Sequence, residues 1–292
     1  MANVSIITVN YNGLSDTCEM IESLRTYETC PYELIVVDNG SRVDEAAVLR
    51  KKYPGVKVIR SDENLGFAGG NNLGVRQAKG DFLFFLNNDT YIDGPVLGPL
   101  TDRLSENVKN GVVSPKIKFS FSGEIQFAGY TPLSRITLRN NLIGFGKEDK
   151  GQYESPRRSP FAHGAAMMVR REAIEEAGEM PEIYFLYYEE LDWCERIRQA
   201  GYEIWYEPAA TIYHKESRST GRESPLKTYY MSRNRLLYAR RNRQGPASFL
   251  SVCYQLFAVA PRDLLRFAAK GKTAWIKAYC KGICAGLSVE KQ

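Results

Sequence analysis

Short apolar runs alternate with segments of helical spacing through the first third of the chain. Residues 4–9 form a β-rich apolar run, and 15–26 follow with Cys18, Ile21 and Leu24 at helical intervals. The run 33–38, Glu-Leu-Ile-Val-Val-Asp, stops on a carboxylate, and 44–52 then has a helical pattern. Residues 56–60 predict a third strand and 70–78 a helix, and the fourth strand, 81–86, ends in Asn87, Asn88 and Asp89. Strands in alternation with helices predict an α/β fold: a mostly parallel, Rossmann-like sheet flanked by helices on both faces. Ligands of such sheets bind beyond the carboxyl ends of the strands, where Asp38 and Asp89 both fall.

The pattern weakens in the middle. Residues 112–121 read as strand, but 122–160 are rich in Gly, Asn, Arg and Ser, a composition that suits a substrate loop or lid. Regularity returns with a strand at 164–170, helices at 171–177 and 189–200, and two short strands around Pro208 within 202–214. From Pro225 a helix runs to Arg243, Gly245-Pro246 breaks it, and two amphipathic helices flank Gly271. The expected division is a catalytic domain over 1–224 and a basic helical extension over 225–292. No internal repeat is present.

Composition excludes a disordered chain, a collagen-like fibre and a disulfide mini-protein, since 43% of the 292 residues are apolar and 25% charged. The net charge of +5 hides an asymmetry: residues 1–214 carry −7 and residues 215–292 carry +12. In 246–292 seven basic residues interleave with Leu264, Leu265, Phe267, Trp275, Ile276 and Tyr279. That mixture suits an anionic membrane surface, or packing on the catalytic domain or on a second copy in a homodimer. Nucleic acid is disfavoured because no nucleic-acid module accompanies the charge. The first apolar run is too short for a signal-peptide core, and no stretch approaches the ~18–20 residues of a membrane span. The six cysteines form no CxxC pair, so a reduced, cytoplasmic protein, peripheral on the membrane's inner face, is expected.

Four constellations carry candidate chemistry. Asp38 and Asp89 stand at strand ends, where a carboxylate contacts a ribose or base, holds a cation, or simply caps a turn. Segment 64–74, Asn-Leu-Gly-Phe-Ala-Gly-Gly-Asn-Asn-Leu-Gly, offers backbone N–H groups ahead of a helix, or is a plain loop. On the helix from 189, Glu189, Asp192 and Glu195 share a face and Glu190 points about 100° away. Aromatic neighbours that bury one of these carboxylates would suit it to general-base work. His214 ends a strand and precedes Lys215, Arg218 and Arg222, a run able to hold a diphosphate. His163 lines the same cleft or is a satisfied loop residue.

Taken in order, these pieces resemble the inverting family-2 glycosyltransferases of the nucleotide-diphospho-sugar transferase (GT-A) fold, in their rhamnosyltransferase-like bacterial branch. The resemblance rests on Thr8-Val-Asn-Tyr-Asn12, Val37-Asp-Asn-Gly-Ser41, the 64–72 segment, Leu86-Asn-Asn-Asp-Thr90, Gly164 to Arg171, Tyr188-Glu-Glu-Leu-Asp-Trp-Cys194 and His214. It implies that Asp38 contacts the nucleobase and that Thr8, Asn10, Asn12, Asn64, Gly66, Asn71 and Asn88 line the nucleotide pocket. It implies Mg²⁺ or Mn²⁺ at Asp89 and His214, Arg218 and Arg222 on the diphosphate, and Glu190, beside Glu189, as base. The family's first metal carboxylate is Asn87 here. The implied reaction moves a sugar such as rhamnose from a nucleotide-diphospho-sugar to a saccharide or lipid-linked acceptor, with inversion, in surface polysaccharide synthesis. A nucleotidyltransferase that makes a nucleotide sugar competes, but the loop at 10–14 lacks the basic residue such enzymes use. An inactive sugar- or nucleotide-binding subunit is the third reading, with Asn87 as its sign.

Overall fold

A computed structural model describes residues 3–215 and 224–289. Two compact units emerge, the first comprising Met1–Thr131, Asn141–Phe185 and Glu189–Ser219. In chain order its elements are β1 (Val4–Asn10), α1 (Leu14–Tyr27), β2 (Tyr32–Asn39), α2 (Glu45–Lys52), β3 (Lys57–Ser61), α3 (Gly66–Val75) and β4 (Phe82–Leu86). They continue as β5 (Thr90–Tyr91), α4 (Leu97–Ser105), β6 (Asn110–Phe119), β7 (Ile125–Phe127), β8 (Arg157–Arg158), β9 (Ala166–Arg170), α5 (Arg171–Ala177), α6 (Glu189–Gln199) and β10 (Glu203–His214).

The sheet runs β3-β2-β1-β4-β9-β6-β10-β5, with β7 beside β6 and β8 beside β10. β3, β2, β1 and β4 are parallel, β9 runs antiparallel between β4 and β6, and β10 is again parallel to β6. The carboxyl ends of β2, β4 and β10 therefore share one edge. Strand alternation decides the packing. Ile6, Leu34, Val36 and Phe84 face a core with Met20, Ile21 and Leu24 of α1, Leu49 of α2 and Leu97 and Leu100 of α4. Their neighbours look the other way: Phe85 meets the Trp193 ring of α6 edge-on at 5.3 Å, and Ile7 presses on Gly74 of α3.

Two expectations need correction. Residues 202–214 form one strand rather than two, because Pro208 is absorbed in a register irregularity between Glu207 and Thr211. The helix expected at 70–78 begins at Gly66, so the glycine-rich segment is helix rather than loop.

The second unit comprises Pro132–Asn140, Leu186–Tyr188 and Thr220–Gln292. Its helices are α7 (Pro225–Asn242), α8 (Gly245–Tyr254), α9 (Ala260–Ala269) and α10 (Thr273–Ser288), with a π-helical turn (Gln255–Val259) joining α8 to α9. Ser224 caps α7 by accepting from the Lys227 N–H at 3.1 Å. α10 lies on α7 through Gly282 and Gly286, where any Cβ would fall 2.0 Å from Ser232 Oγ or 2.6 Å from the Arg233 carbonyl. The buried Asn234 amide donates to the Leu186 and Tyr187 carbonyls, each at 2.8 Å. Nothing in the sequence marks 132–140 and 186–188 as parts of this unit. Among the described residues, no helix is long and apolar enough to cross a membrane. All six cysteines are thiols.

Candidate active site

At the carboxyl end of β2 the chain builds a closed polar network. Asp38 is fully buried; Arg60 Nη1 donates to its Oδ2 at 2.7 Å, while Asn10 Nδ2 and the Ser41 N–H donate to Oδ1 at 3.3 and 3.4 Å. Asn10 also donates to Glu45 Oε2 at 2.7 Å and accepts from Thr17 Oγ1 at 2.7 Å. Asn10 and Asp38 are thus both buried within this network. Thr8 is equally buried, and its Oγ1 has no hydrogen-bond partner among the described residues. Asn12 is exposed at the rim, with its carboxamide oxygen accepting from the Arg42 N–H at 2.9 Å.

The start of the glycine-rich segment is tied into the fold by its backbone. Leu65 N–H donates to Asn39 Oδ1, Gly66 N–H to Asn64 Oδ1 and Phe67 N–H to the Phe185 carbonyl, at 3.0, 2.9 and 2.8 Å. These are donors a phosphate would need, and they are already engaged. Asn71 is buried and its amide donates to the Phe67 carbonyl at 2.9 Å. Gly66 is required by geometry: its φ is +75°, and a Cβ would stand 2.3 Å from the Phe185 oxygen. Gly66→Ala is expected to cost roughly 2–4 kcal/mol through left-handed strain plus the clash. Urea unfolding followed by tryptophan fluorescence measures it, and a cost under about 0.5 kcal/mol, the scale of ordinary surface changes, would refute this packing.

Asp89 and His214 are brought together by strand pairing. Thr90 of β5 lies opposite His214 of β10, and the Lys215 N–H donates to the Asp89 carbonyl at 3.0 Å. His214 Nε2 then sits 3.2 Å from Asp89 Oδ1, with both residues almost wholly buried. The other ring nitrogen, Nδ1, lies 2.9 Å from Gln126 Oε1 of β7. An N–H on Nδ1 serves that contact and leaves the Nε2 lone pair facing a carboxylate oxygen. In that tautomer the two acceptors suit a cation between them, and with the N–H on Nε2 the same contact is a hydrogen bond. One carboxylate oxygen and one imidazole nitrogen suit Mg²⁺ or Mn²⁺, and 3.2 Å is close to the ~3 Å between adjacent ligands of an octahedral ion. Among the described residues no third His, Cys, Asp or Glu joins them, so the remaining positions would fall to ligand oxygens and water. Lys215 is neutralised by Asp16 and Glu19, each at 2.7 Å. Arg218 and Arg222 lie outside the described residues.

The carboxylates of α6 separate by role. Asp192 accepts from Tyr184 Oη at 2.7 Å and Arg196 Nε at 3.2 Å and holds the helix in place. Glu189 is buried, whereas Glu190 is half-buried beside Gly164, where an added Cβ would lie 3.8 Å from Glu190 Cγ. The loop before Gly164 is pinned by the Ala162 N–H on Cys194 Sγ at 3.3 Å and the His163 N–H on Ser114 Oγ at 3.1 Å. The His163 ring centroid is 6.3 Å from that of His214 and 6.4 Å from that of Tyr130, which it stacks upon. Burial, reinforced by His214, depresses the His163 pKa to about 3, so this imidazole is neutral at ordinary pH. Burial first, and then the Glu190 charge, push the Tyr130 hydroxyl above its usual range. Asp89, His214, His163, Gly164 and Glu190 therefore follow one another along a single site. Phe185 adopts a left-handed φ of 65° just before α6, and strain of this kind concentrates at working sites.

Gln126, Tyr130, Glu45 and Arg60 escaped the sequence reading. Gln126 and Tyr130 lie in a stretch without periodicity, and only a long polar insertion before a strand hinted at them. Arg60 ends a strand beside Asp38, a cross-strand pairing that register alone reveals.

The glycosyl transferase family 2 model matches residues 5–178. The low-salt glycan biosynthesis hexosyltransferase Agl10 of Haloferax volcanii is 28% identical over 242 residues, 80% of this chain and 75% of that protein. The N-acetylglucosaminyl-diphospho-decaprenol L-rhamnosyltransferase of Mycobacterium tuberculosis is 24% identical over 238 residues, 75% of this chain and 78% of its own length. Among solved structures, that of GalNAc-T7 with UDP, GalNAc and Mn²⁺ superposes with a TM-score of 0.66 at 18% identity, over 87% of this chain. The chain spans 54% of that larger protein's length, and the likeness extends to fold.

Proposed function

As the chain belongs to glycosyl transferase family 2, we propose that it transfers a hexose, rhamnose or a similar sugar, from a nucleotide-diphospho-sugar to a saccharide or lipid-linked acceptor. The linkage forms with inversion, and the setting is surface polysaccharide synthesis. The observation that carries this reading is the Asp89–His214 pair at 3.2 Å, one loop away from Glu190.

Asn12, Asn64 and Asn88 are the polar residues open to the nucleoside side, and Asp38, Asn10 and Thr8 hold that wall from beneath. Asp89 and His214 would hold the divalent cation, with Gln126 fixing the imidazole tautomer. When bound, that cation supplies charge neutralisation to the departing diphosphate. Arg218 and Arg222 belong to the same diphosphate role by their sequence position. Glu190 takes the proton of the acceptor hydroxyl as its oxygen bonds to the anomeric carbon. The bond to the diphosphate breaks on the opposite face and takes its electron pair with it. His163, neutral at working pH, packs the floor of the acceptor side and moves no proton.

The test is release of nucleoside diphosphate from a panel of nucleotide sugars, with Mn²⁺ and with EDTA. Release from at least one donor, lost in EDTA, is expected. Pyrophosphate release would mark a nucleotidyltransferase, and donor binding without turnover would mark an inactive subunit; either result overturns the proposal.

A further inference from the structure

The backbone decides where His163 carries its ring proton. The Ala165 N–H donates to His163 Nδ1 at 3.1 Å. A backbone N–H only donates, so Nδ1 holds a lone pair, and the ring is uncharged with its hydrogen on Nε2. The rest of the residue is held by the fold. Its own N–H donates to Ser114 Oγ and its carbonyl accepts from the Ala166 N–H, both at 3.1 Å. Its ring lies within 10° of parallel to that of Tyr130, and its centroid is 5.3 Å from that of Phe127.

This stack ends in two polar atoms without partners. Among the described residues nothing accepts from His163 Nε2, and nothing pairs with Tyr130 Oη. Both residues are half-buried, and neither atom is among the enclosed polar atoms that lack a partner, so both reach open space. The surroundings place that space. The His163 ring centroid is 6.3 Å from that of His214, the imidazole of the cation pair. The next residue, Gly164, faces Glu190, and the Glu190 charge acts on the Tyr130 hydroxyl. His163 and Tyr130 therefore bridge the interval between the cation pair and the base. In an inverting displacement the diphosphate leaves from one side of the anomeric carbon and the acceptor hydroxyl enters from the other. The sugar ring that carries this carbon lies in the same interval. Phosphate oxygens favour charged donors, whereas two uncharged donors suit the hydroxyls of a neutral sugar.

We infer that His163 Nε2–H, with Tyr130 Oη–H beside it, hydrogen-bonds hydroxyls of the sugar being transferred and so helps to select the donor. The inference rests on the reaction proposed above and deepens it. The contact orients the sugar and moves no proton. A site that bonds a substrate hydroxyl rejects the analogue without it strongly, because the donor is then left unpaired.

Calorimetry in Mn²⁺ tests this with the UDP-, GDP- and dTDP-linked hexoses of the panel, each beside its bare nucleoside diphosphate. His163→Phe is expected to weaken binding of the nucleotide sugar about 3–10-fold, the loss of one hydrogen bond, and to leave the bare diphosphate within about twofold. Tyr130→Phe, which removes a single oxygen, is expected to show the same split and carries the test if His163→Phe fails to fold. His163→Gln restores an N–H donor and is expected to recover most of the loss. Equal losses for nucleotide sugar and bare diphosphate would mean a structural role only and overturn the inference. Unchanged affinity for the nucleotide sugar, or a His163→Gln variant no better than His163→Phe, would do the same. The expected split without turnover would sink the proposed reaction and leave this recognition standing. Turnover in the panel with an unaltered His163→Phe would do the reverse, and a wild type that binds no nucleotide sugar would remove both.

Discussion

Glu190→Gln is expected to lower turnover by about 10²–10⁴-fold, the usual contribution of a positioned general base, while donor binding stays within a factor of about two. The substitution keeps the side-chain shape beside Gly164 and removes only the capacity to accept a proton. Glu189→Gln should matter much less to the proton transfer, because Glu189 is the more enclosed of the two. Rates from nucleoside diphosphate release, with donor affinity from calorimetry, separate the two effects. Near-normal turnover in Glu190→Gln would remove this residue from the base role. A matched loss of donor affinity would mean that the change had disturbed the site as a whole.

The second large effect is expected at the opposite end of the site. Asp89→Ala deletes the one carboxylate of the cation pair, and His214→Ala deletes its partner at 3.2 Å. Each is expected to weaken Mn²⁺-dependent donor binding and to lower turnover by about 10²-fold, or roughly 2.7 kcal/mol. Gln126→Ala leaves both ligands in place but frees the imidazole, so a smaller loss, about 10-fold in metal affinity, is expected. Chelation should reduce the wild type to the level of the Asp89 variant and leave that variant nearly unchanged. A Mn²⁺ titration that is the same for wild type and Asp89→Ala would take Asp89 out of the cation site.

The parallel half of the sheet was legible because its strands are short apolar runs with breakers between them. The positions of Asp38 and Asp89 followed from where those runs stop. What Asp38 touches was not legible, because its partner Arg60 belongs to a strand more than twenty residues later and meets it only through register. The segment 64–74 was legible only in part. Its glycines suggest a phosphate loop, yet Gly70 and Gly74 are small because a Cβ would fall 2.9 Å from Val9 and 2.4 Å from Ile7. Helix-on-strand packing and phosphate cradles both select glycine, and spacing alone does not tell them apart. His214 stood out by rarity and strand-end position, but its tautomer depends on Gln126, hidden in a stretch without periodicity. The charge of the last third was visible at once. Its concentration around one cavity was not, because that requires α7, α9 and α10 to be brought together.

Single displacement by one base is the centre of this account, and the configuration of the new linkage reports on it most directly. With the donor identified by the panel, the anomeric proton of the product can be followed by NMR from the first turnovers. A product whose anomeric configuration is opposite to that of the donor is the expected result. Retained configuration would require an intermediate that neither Glu190 nor the Asp89–His214 pair explains, and would contradict the mechanism.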